Sequence, residues 1–179
     1  MVELIERILA LHNALQRADL PHAFGGALAL AWCTQRARGT IDVDLNVMLS
    51  QTESARLLSA LPAEIPVSEA QSSELAREGQ VRLWWGQTPV DLFLNNTEFH
   101  EELASRIRWE SFAGSALPFL SCFDLAVFKA FFNRTKDWAD LEAMQDAGTL
   151  PVERVQAVLI RYLGANDERI SRLATLRTQ

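Results

Sequence analysis

The sequence lacks any apolar run long enough to span a bilayer, and no basic and apolar leader opens it. A membrane-spanning helix needs about 20 consecutive apolar residues. A secretory leader needs a charged segment followed by an apolar one. We therefore expect a cytoplasmic protein that has no membrane partner.

Cysteine is also scarce, with Cys33 and Cys122 as the two in 179 residues. Both lie in apolar patterns far apart in the sequence, so we predict two buried thiols in a reducing compartment rather than a disulfide. The three histidines, His12, His22 and His100, have no metal-ligand spacing. We interpret them as structural or surface residues.

Several catalytic motifs are missing too. The sequence has no Gly-x-x-x-x-Gly-Lys-Ser/Thr, no nucleophile elbow and no Cys-x-x-Cys, which leaves Walker-type ATP hydrolysis, serine hydrolysis and zinc binding without support. A net charge of −6 argues against a surface that grips nucleic acid everywhere, although local basic patches stay open. The 49% hydrophobic content suffices for one globular domain, alone or with a small helical appendage.

Two glycines and two aspartates are the most informative residues that are present. Gly25-Gly26 precedes an apolar helical segment, where bare backbone N–H groups and the positive helix end favour a phosphate. Asp42 and Asp44 share one face of a predicted strand, with Cα atoms about 7 Å apart. Carboxylate pairs of this kind suit Mg²⁺. Taken separately, the glycines could form an ordinary turn and the aspartates an exposed polar face.

A third carboxylate follows from a later pattern. In the predicted strand 89–94, alternating apolar residues face one way and Asp91 faces the other. Asp91 is therefore the natural companion of the paired aspartates, or else a polar residue near a strand end. The run 80–85 before it reads as a partner strand, joined by a hairpin at Gly86-Gln87-Thr88. Trp84-Trp85 in that run offers a base-stacking plane through at most one ring, and otherwise packs or covers an edge.

The remaining segments read mostly as helices. Ser121, followed by Asp124 three residues later, resembles a capping box that opens a helix. The segment 62–79 is polar and carries no clear pattern. The periodicities predict helices at 2–18, 27–32, 51–61, 122–132, 151–163 and 166–177, and strands at 22–24, 42–49, 80–85 and 89–94.

The ordered motifs resemble those of a known superfamily. Gly25-Gly26, then a spacer, then Asp42-Val43-Asp44-Leu45 is similar to the signature of the DNA polymerase β-like nucleotidyltransferases. Within that superfamily, the closest similarity is to the small bacterial AbiEii-type toxin nucleotidyltransferases. Those proteins read Gly-Gly-x-Ala, an Arg-x-Thr-like approach, the acidic pair, and later a Lys and a Lys/Arg-Asp pair. The matching later pieces here are Arg38-Gly39-Thr40, Lys129 and Lys136-Asp137.

The resemblance implies a fold and a metal site. The expected architecture is an α/β nucleotidyltransferase core over residues 1–115, with a small twisted mixed sheet flanked by helices, followed by a helical C-terminal part over residues 116–179. Asp42, Asp44 and Asp91 would bind Mg²⁺ or Mn²⁺ and act as the catalytic carboxylates. Three clustered carboxylates repel one another, so activity should depend on the metal.

The resemblance also implies a nucleotide site. Lys129 would act as a catalytic phosphate contact, or would otherwise be a solvated residue of a polar helix face. Asp137 could orient Lys129 or an acceptor, or simply favour a helix start. The full set of implied nucleotide-binding residues is Gly25, Gly26, Arg38, Thr40, Lys129, Lys136 and Asp137.

The implied function is metal-dependent transfer of a nucleotide from a nucleoside triphosphate to an acceptor. In the toxin branch the acceptor can be RNA, particularly tRNA, and an antitoxin protein would be the partner. Other branches modify a small hydroxylated molecule such as an antibiotic, or a protein side chain. A non-catalytic nucleotide-binding regulator of the same fold is the alternative from a different class.

Overall fold

The structure is a computed structural model that describes residues 2–37 and 39–176. The chain divides into two compact units, and the predicted boundary at residue 115 stays a prediction. None of the helices in the described part is long and apolar enough to cross a membrane. The first unit consists of Met1–Leu28 and Gly39–Phe119, and the second of Ala29–Arg38 and Leu120–Gln179.

Within the described residues, six strands of the first unit form one sheet in the order β3-β4-β2-β1-β6-β5. The β2–β4 and β1–β6 pairs are parallel, and the other neighbours are antiparallel, so the predicted mixed sheet is confirmed. The strands are β1 (His22–Phe24), β2 (Val43–Ser50), β3 (Gln80–Trp85), β4 (Thr88–Asn95), β5 (Arg108–Phe112) and β6 (Ser115–Phe119).

Helices α1, α3, α4 and α5 belong to the first unit, α6 to α9 belong to the second, and α2 contributes residues to both. Short 3₁₀ turns at Gln51–Glu53 and Leu103–Arg106 complete the described elements. The helices are α1 (Val2–Arg17), α2 (Gly26–Thr34), α3 (Ser54–Ala60), α4 (Glu69–Glu78), α5 (Glu98–Glu101), α6 (Cys122–Phe132), α7 (Thr135–Asp146), α8 (Val152–Leu163) and α9 (Glu168–Thr175).

The alternation of β2 and β4 separates a packing face from a polar face. Asp44 and Asp91 are partly exposed on the polar face, while their apolar neighbours are fully covered. Because side chains alternate along a strand, this arrangement follows directly from the sequence pattern. The buried residues of the packing face include Val43, Leu45, Val47, Val90, Leu92 and Leu94.

Several regions differ from the sequence predictions, and α5 and α7 also lie outside the predicted helix ranges. The segment 62–79 contains α4, whose N-cap Ser68 accepts a hydrogen bond from the Gln71 backbone and forms a capping box with it. The predicted helix at 51–61 is divided into a 3₁₀ turn and α3. The β5–β6 hairpin was not predicted, because its first strand is largely exposed and carries little apolar signal.

The second unit confirms the predicted helix 122–132, which Ser121 caps by accepting a hydrogen bond from the Asp124 backbone. Asn133 then adopts φ +56° and ends α6, since asparagine tolerates the left-handed region better than most residues. The helix therefore stops here, and α7 begins anew at Thr135. Trp138 of α7 is 1% exposed and is the largest fully buried side chain of this unit.

The prediction of two free thiols is wrong. Cys33 of α2 and Cys122 of α6 form a disulfide, although 89 positions separate them in the sequence. Both residues belong to the second unit. Folding brings α2 and α6 together there, and the two local apolar patterns carry no information about that distance.

A histidine pair is buried in the first unit, as the structural interpretation of these residues predicts. Nδ1 of His22 lies 2.7 Å from the carbonyl oxygen of Leu20, and Nε2 of His22 lies 2.9 Å from Nδ1 of His12. Because a carbonyl only accepts, His22 carries its proton on Nδ1 and accepts from His12 through Nε2. His22 is neutral in this arrangement, because its Nε2 carries no proton.

The histidine pair should make stability depend on pH. Burial lowers the pKa of His22 to about 4. The hydrogen bond to Leu20 raises this pKa, and the nearby His12 lowers it further, but both effects are smaller than that of burial. The unfolded chain, with a pKa of about 6.5, binds the proton first, so stability is present above that pH and is lost as the pH falls toward 4. We expect His22 to account for about 2 kcal/mol of lost unfolding free energy between pH 7.5 and pH 5.

Urea unfolding of the wild type and of His22→Gln at both pH values measures this contribution. Burial also lowers the pKa of His100 to about 4. Because both proteins contain His100, its contribution to the pH dependence cancels when the two losses of stability are compared. The variant should lose less stability than the wild type on acidification. An identical loss in both proteins would contradict the assignment.

Candidate functional site

The glycine turn and Asp44 are in direct contact in the first unit. The Gly25 backbone N–H donates to the Asp44 carbonyl oxygen at 2.9 Å. Gly26 adopts φ +51°, and a Cβ atom built on it would lie 1.8 Å from Oδ2 of Asp44. A side chain at this position would force the Asp44 carboxylate or the turn to move. The turn therefore requires glycine for its backbone conformation and for its approach to the carboxylate.

Asp42 lies one residue before β2, and Thr40 holds its carboxylate. The Thr40 hydroxyl donates to Oδ1 of Asp42 at 2.7 Å, and the Asp42 backbone N–H donates back to Thr40 Oγ1 at 3.3 Å. Thr40 was predicted to bind nucleotide. The structure shows it holding the carboxylate of the first aspartate of the pair, while its nucleotide contact stays a prediction.

Asp91 lies directly beside Asp44 in the sheet. The two residues are register partners of the parallel β2–β4 pair, and such partners project to the same face. On the other side of β4, Arg82 of β3 is the register partner of Asp91. Arg82 donates to both carboxylate oxygens, through Nε at 2.7 Å and through Nη2 at 2.6 Å. A row of three charged residues thus crosses β3, β4 and β2.

Electrostatics couple this row to the paired aspartates. The pKa of Arg82 is raised above its usual value, first by the hydrogen bond to Asp91 and then by the charges of Asp91, Asp42 and Asp44. The guanidinium therefore lies in the combined field of all three carboxylates. Arg82 was not among the residues predicted from the sequence. Its place opposite Asp91 follows from the register of a hairpin with a two-residue turn.

The fit to a metal ion is partial. Carboxylate oxygens are the donors that Mg²⁺ and Mn²⁺ prefer, and Asp42 and Asp44 are suitably spaced along the chain. In residues 2–37 and 39–176, however, no group of three or more His, Cys, Asp or Glu is arranged to hold a metal ion. Asp91 is instead engaged by Arg82, so the metal role of the three aspartates stays a prediction.

Lys129 lies in the second unit and is not a solvated residue. Its ammonium contacts Oδ2 of Asp140 at 2.6 Å and lies 3.8 Å from Oδ1 of Asp137. The three side chains are at most 9% exposed. The structure thus excludes the solvated-face alternative, while the predicted phosphate contact stays a prediction.

The remaining predicted residues of this unit fall into different surroundings. Asp137 caps the start of α7, because its carboxylate accepts from the Arg134 backbone at 3.3 Å and from Nε of Arg134 at 2.6 Å. The helix-start alternative for Asp137 therefore agrees with the structure. Asp137 also lies 3.8 Å from the Lys129 ammonium, and its orienting role stays a prediction. Lys136 is exposed. Arg38 lies outside the described residues.

Comparison with solved structures identifies the fold. The chain resembles the antibiotic-resistance factor ANT(2'')-Ia in solution, with TM-score 0.62, 13% identity, and coverage of 99% of this chain and 96% of that one. It also resembles the crystal structure of ANT(2")-Ia in complex with adenylyl-2"-tobramycin, with TM-score 0.60, 14% identity and 97% coverage of both chains. No protein-family model and no curated protein matches the sequence.

A further similar structure is the lincosamide antibiotic adenylyltransferase LnuA with lincomycin bound. Its TM-score is 0.54 at 9% identity, over 79% of this chain and 96% of that one. The chain therefore has the nucleotidyltransferase fold, in which a mixed-sheet α/β core is followed by a helical C-terminal part. The narrower similarity to AbiEii-type toxins stays a prediction.

Proposed function

We propose that this chain is a metal-dependent nucleotidyltransferase that transfers a nucleotide from a nucleoside triphosphate to an acceptor hydroxyl. The observation that carries the proposal is the contact of Gly26 with the Asp44 carboxylate. A glycine turn that opens a helix, and that would bind phosphate, lies there directly against a carboxylate that would bind Mg²⁺. The fold shared with known nucleotidyltransferases supports the same conclusion.

The residues of the first unit have separate tasks in this proposal. The N–H groups of Gly26 and of the first residues of α2 would bind the terminal phosphates of the triphosphate. The Gly25 N–H donates to the Asp44 carbonyl oxygen and would fix the turn. Thr40 would keep Asp42 oriented toward the site. Asp42 and Asp44, with Asp91 beside them, would hold Mg²⁺, which when bound polarises the phosphate and lowers the pKa of the acceptor.

The transfer itself is a displacement at the α-phosphorus. An acceptor oxygen forms a bond to that phosphorus, the bond to the bridging oxygen breaks, and pyrophosphate leaves with the electron pair. The acceptor hydroxyl gives up its proton to a water molecule in the same process. Positioning and electrostatic stabilisation supply most of the catalysis in reactions of this class.

A small hydroxylated molecule is the acceptor that we favour. Two similar structures are named for antibiotics, one as a complex with adenylyl-2"-tobramycin and the other as a lincosamide antibiotic adenylyltransferase, and they cover 97% and 79% of this chain. The net charge of −6 also favours a compact acceptor over a long polyanion. The toxin role, a tRNA acceptor, an antitoxin partner and a cytoplasmic location stay predictions from the sequence resemblance.

A labelled-nucleotide assay tests the function. The protein is incubated with each α-labelled triphosphate, Mg²⁺, and either a set of aminoglycosides and lincosamides or total cellular RNA. We expect label to be transferred to a small molecule with release of pyrophosphate. Transfer to RNA would instead support the toxin reading, and no transfer with any acceptor, together with no triphosphate binding, would contradict the proposal.

The metal dependence gives a second test. A ligand that binds only the folded state stabilises it by about 2.7 kcal/mol at 100 times its Kd, so Mg²⁺ with ATP should raise the melting temperature. Asp44→Asn should remove most of this gain because it removes a metal ligand. Differential scanning fluorimetry measures the shift, with the exposed Asp146→Asn as the matched control. An unchanged shift in Asp44→Asn would rule out Asp44 as a main ligand.

A further inference from the structure

Arg82 occupies the place where a positive charge is needed when no metal is bound. Its guanidinium takes both oxygens of Asp91 in a two-pronged contact, which is the strongest geometry available to an arginine and a carboxylate. Asp91 is in turn the register neighbour of Asp44. The positive charge is thus placed on the polar face that carries the aspartates.

The ion pair between Arg82 and Asp91 holds the Asp91 carboxylate, but the exposure of Arg82 allows the pair to separate. The Asp91 side chain is 17% exposed, whereas the Arg82 side chain is 51% exposed. Ion pairs with an exposed partner contribute little net stability, because water screens the attraction and ordering a long side chain costs entropy. Arg82 can therefore leave Asp91 toward solvent at small cost when a stronger cation arrives.

A guanidinium and a divalent ion also compete directly. Both bind the same carboxylate oxygens, and two cations on one carboxylate repel each other. In the structure Arg82 contacts both of the Asp91 oxygens that a divalent ion would use.

We propose that Arg82 is a positioning residue that holds and neutralises Asp91 in the metal-free protein, and that a divalent cation must displace it to recruit Asp91. This inference rests on the proposed function, because it takes the aspartates to be the metal site. Its consequence is that Arg82 weakens metal binding. All three aspartates bind one metal site only when the divalent ion replaces the positive charge of Arg82 beside Asp91. The bound triphosphate would favour this exchange because it also binds the ion.

The test is a titration with Mn²⁺ alone, followed by electron paramagnetic resonance, which reports free Mn²⁺ without any need for turnover. Arg82→Gln should bind Mn²⁺ about tenfold more tightly than the wild type, the size expected for one unit charge beside a divalent ion in a water-exposed site. Arg82→Lys keeps the charge and should stay close to the wild type. Arg77→Gln is the matched control, since it removes an equal charge from an exposed pair with Glu78.

The outcomes separate this inference from the proposed function. Equal or weaker Mn²⁺ binding by Arg82→Gln overturns the inference, since it would make Arg82 either irrelevant or a permanent support of a ligating Asp91. An Arg82→Lys variant that tightens as much as Arg82→Gln also overturns it, because the charge would not be the cause. The Asp44→Asn variant tells whether wild-type binding occurs at the aspartates. If neither the wild type nor Arg82→Gln binds millimolar Mn²⁺, the inference and the metal site of the proposed function both fail.

Discussion

Lys129→Met is expected to lower the free energy of unfolding by about 3–5 kcal/mol, which is the typical cost of removing one partner from a buried ion pair. The ammonium of Lys129 lies 2.6 Å from Asp140 and 3.8 Å from Asp137. Methionine keeps the length of the stem but leaves the buried Asp140 carboxylate without that neutralising charge. Urea unfolding measures the loss.

The chain supplies two controls for this experiment. Lys136→Met makes the same exchange at an exposed position of α7 and should change stability by less than about 0.5 kcal/mol. Combining Lys129→Met with Asp140→Leu removes both charges and should recover much of the loss, because an apolar pair can replace a buried ion pair. A Lys129→Met protein as stable as Lys136→Met, but unable to bind MgATP, would instead favour the phosphate contact implied by the sequence resemblance.

Gly26→Ala is expected to weaken MgATP binding by about 100-fold, through the loss of about two charge-assisted contacts. Its Cβ atom would lie 1.8 Å from Oδ2 and 2.5 Å from Cγ of Asp44. The carboxylate or the turn must therefore move. Either movement separates the glycine turn, which would bind phosphate, from Asp44, which would bind the metal. Isothermal titration calorimetry with MgATP measures the effect.

Backbone strain by itself should have no such effect. Gly148 also has a positive φ, +69°, but a Cβ atom there would meet nothing within 4 Å. Gly148→Ala therefore tests the conformational cost, about 1 kcal/mol of stability, without the clash. Equal MgATP affinity of Gly26→Ala and Gly148→Ala would show that the approach of Gly26 to Asp44 is unrelated to nucleotide binding.

The strands that carry the aspartates could be predicted from the sequence because they depend on neighbouring residues. In β2 and β4 the apolar and polar positions alternate, and this period alone decides which face Asp44 and Asp91 occupy. The glycine turn and the cap of α6 at Ser121 are equally local. Each of these signals extends over a few residues, which is the range over which backbone preference acts.

The partner of Asp91 could not be predicted in the same way. A three-residue loop at Gly86-Gln87-Thr88 would shift the hairpin register by one position and turn Arg82 away from Asp91. In the structure Trp85 pairs with Thr88, so the loop has two residues and Arg82 lies opposite Asp91. A difference of one residue in the length of this loop therefore decides whether the Arg82 side chain lies beside Asp91.

By itself, the sequence determined the positions of the glycine turn and the aspartates, the faces of their strands and the ends of α1, α6 and α8 to within about one residue. These features depend on short-range periodicity and capping. The tertiary structure decided that Cys33 bonds with Cys122 and that Lys129 is buried against Asp140. Such contacts depend on how separate elements pack. Burial and distance between segments many residues apart are properties of that packing, and no local pattern of residue types specifies them.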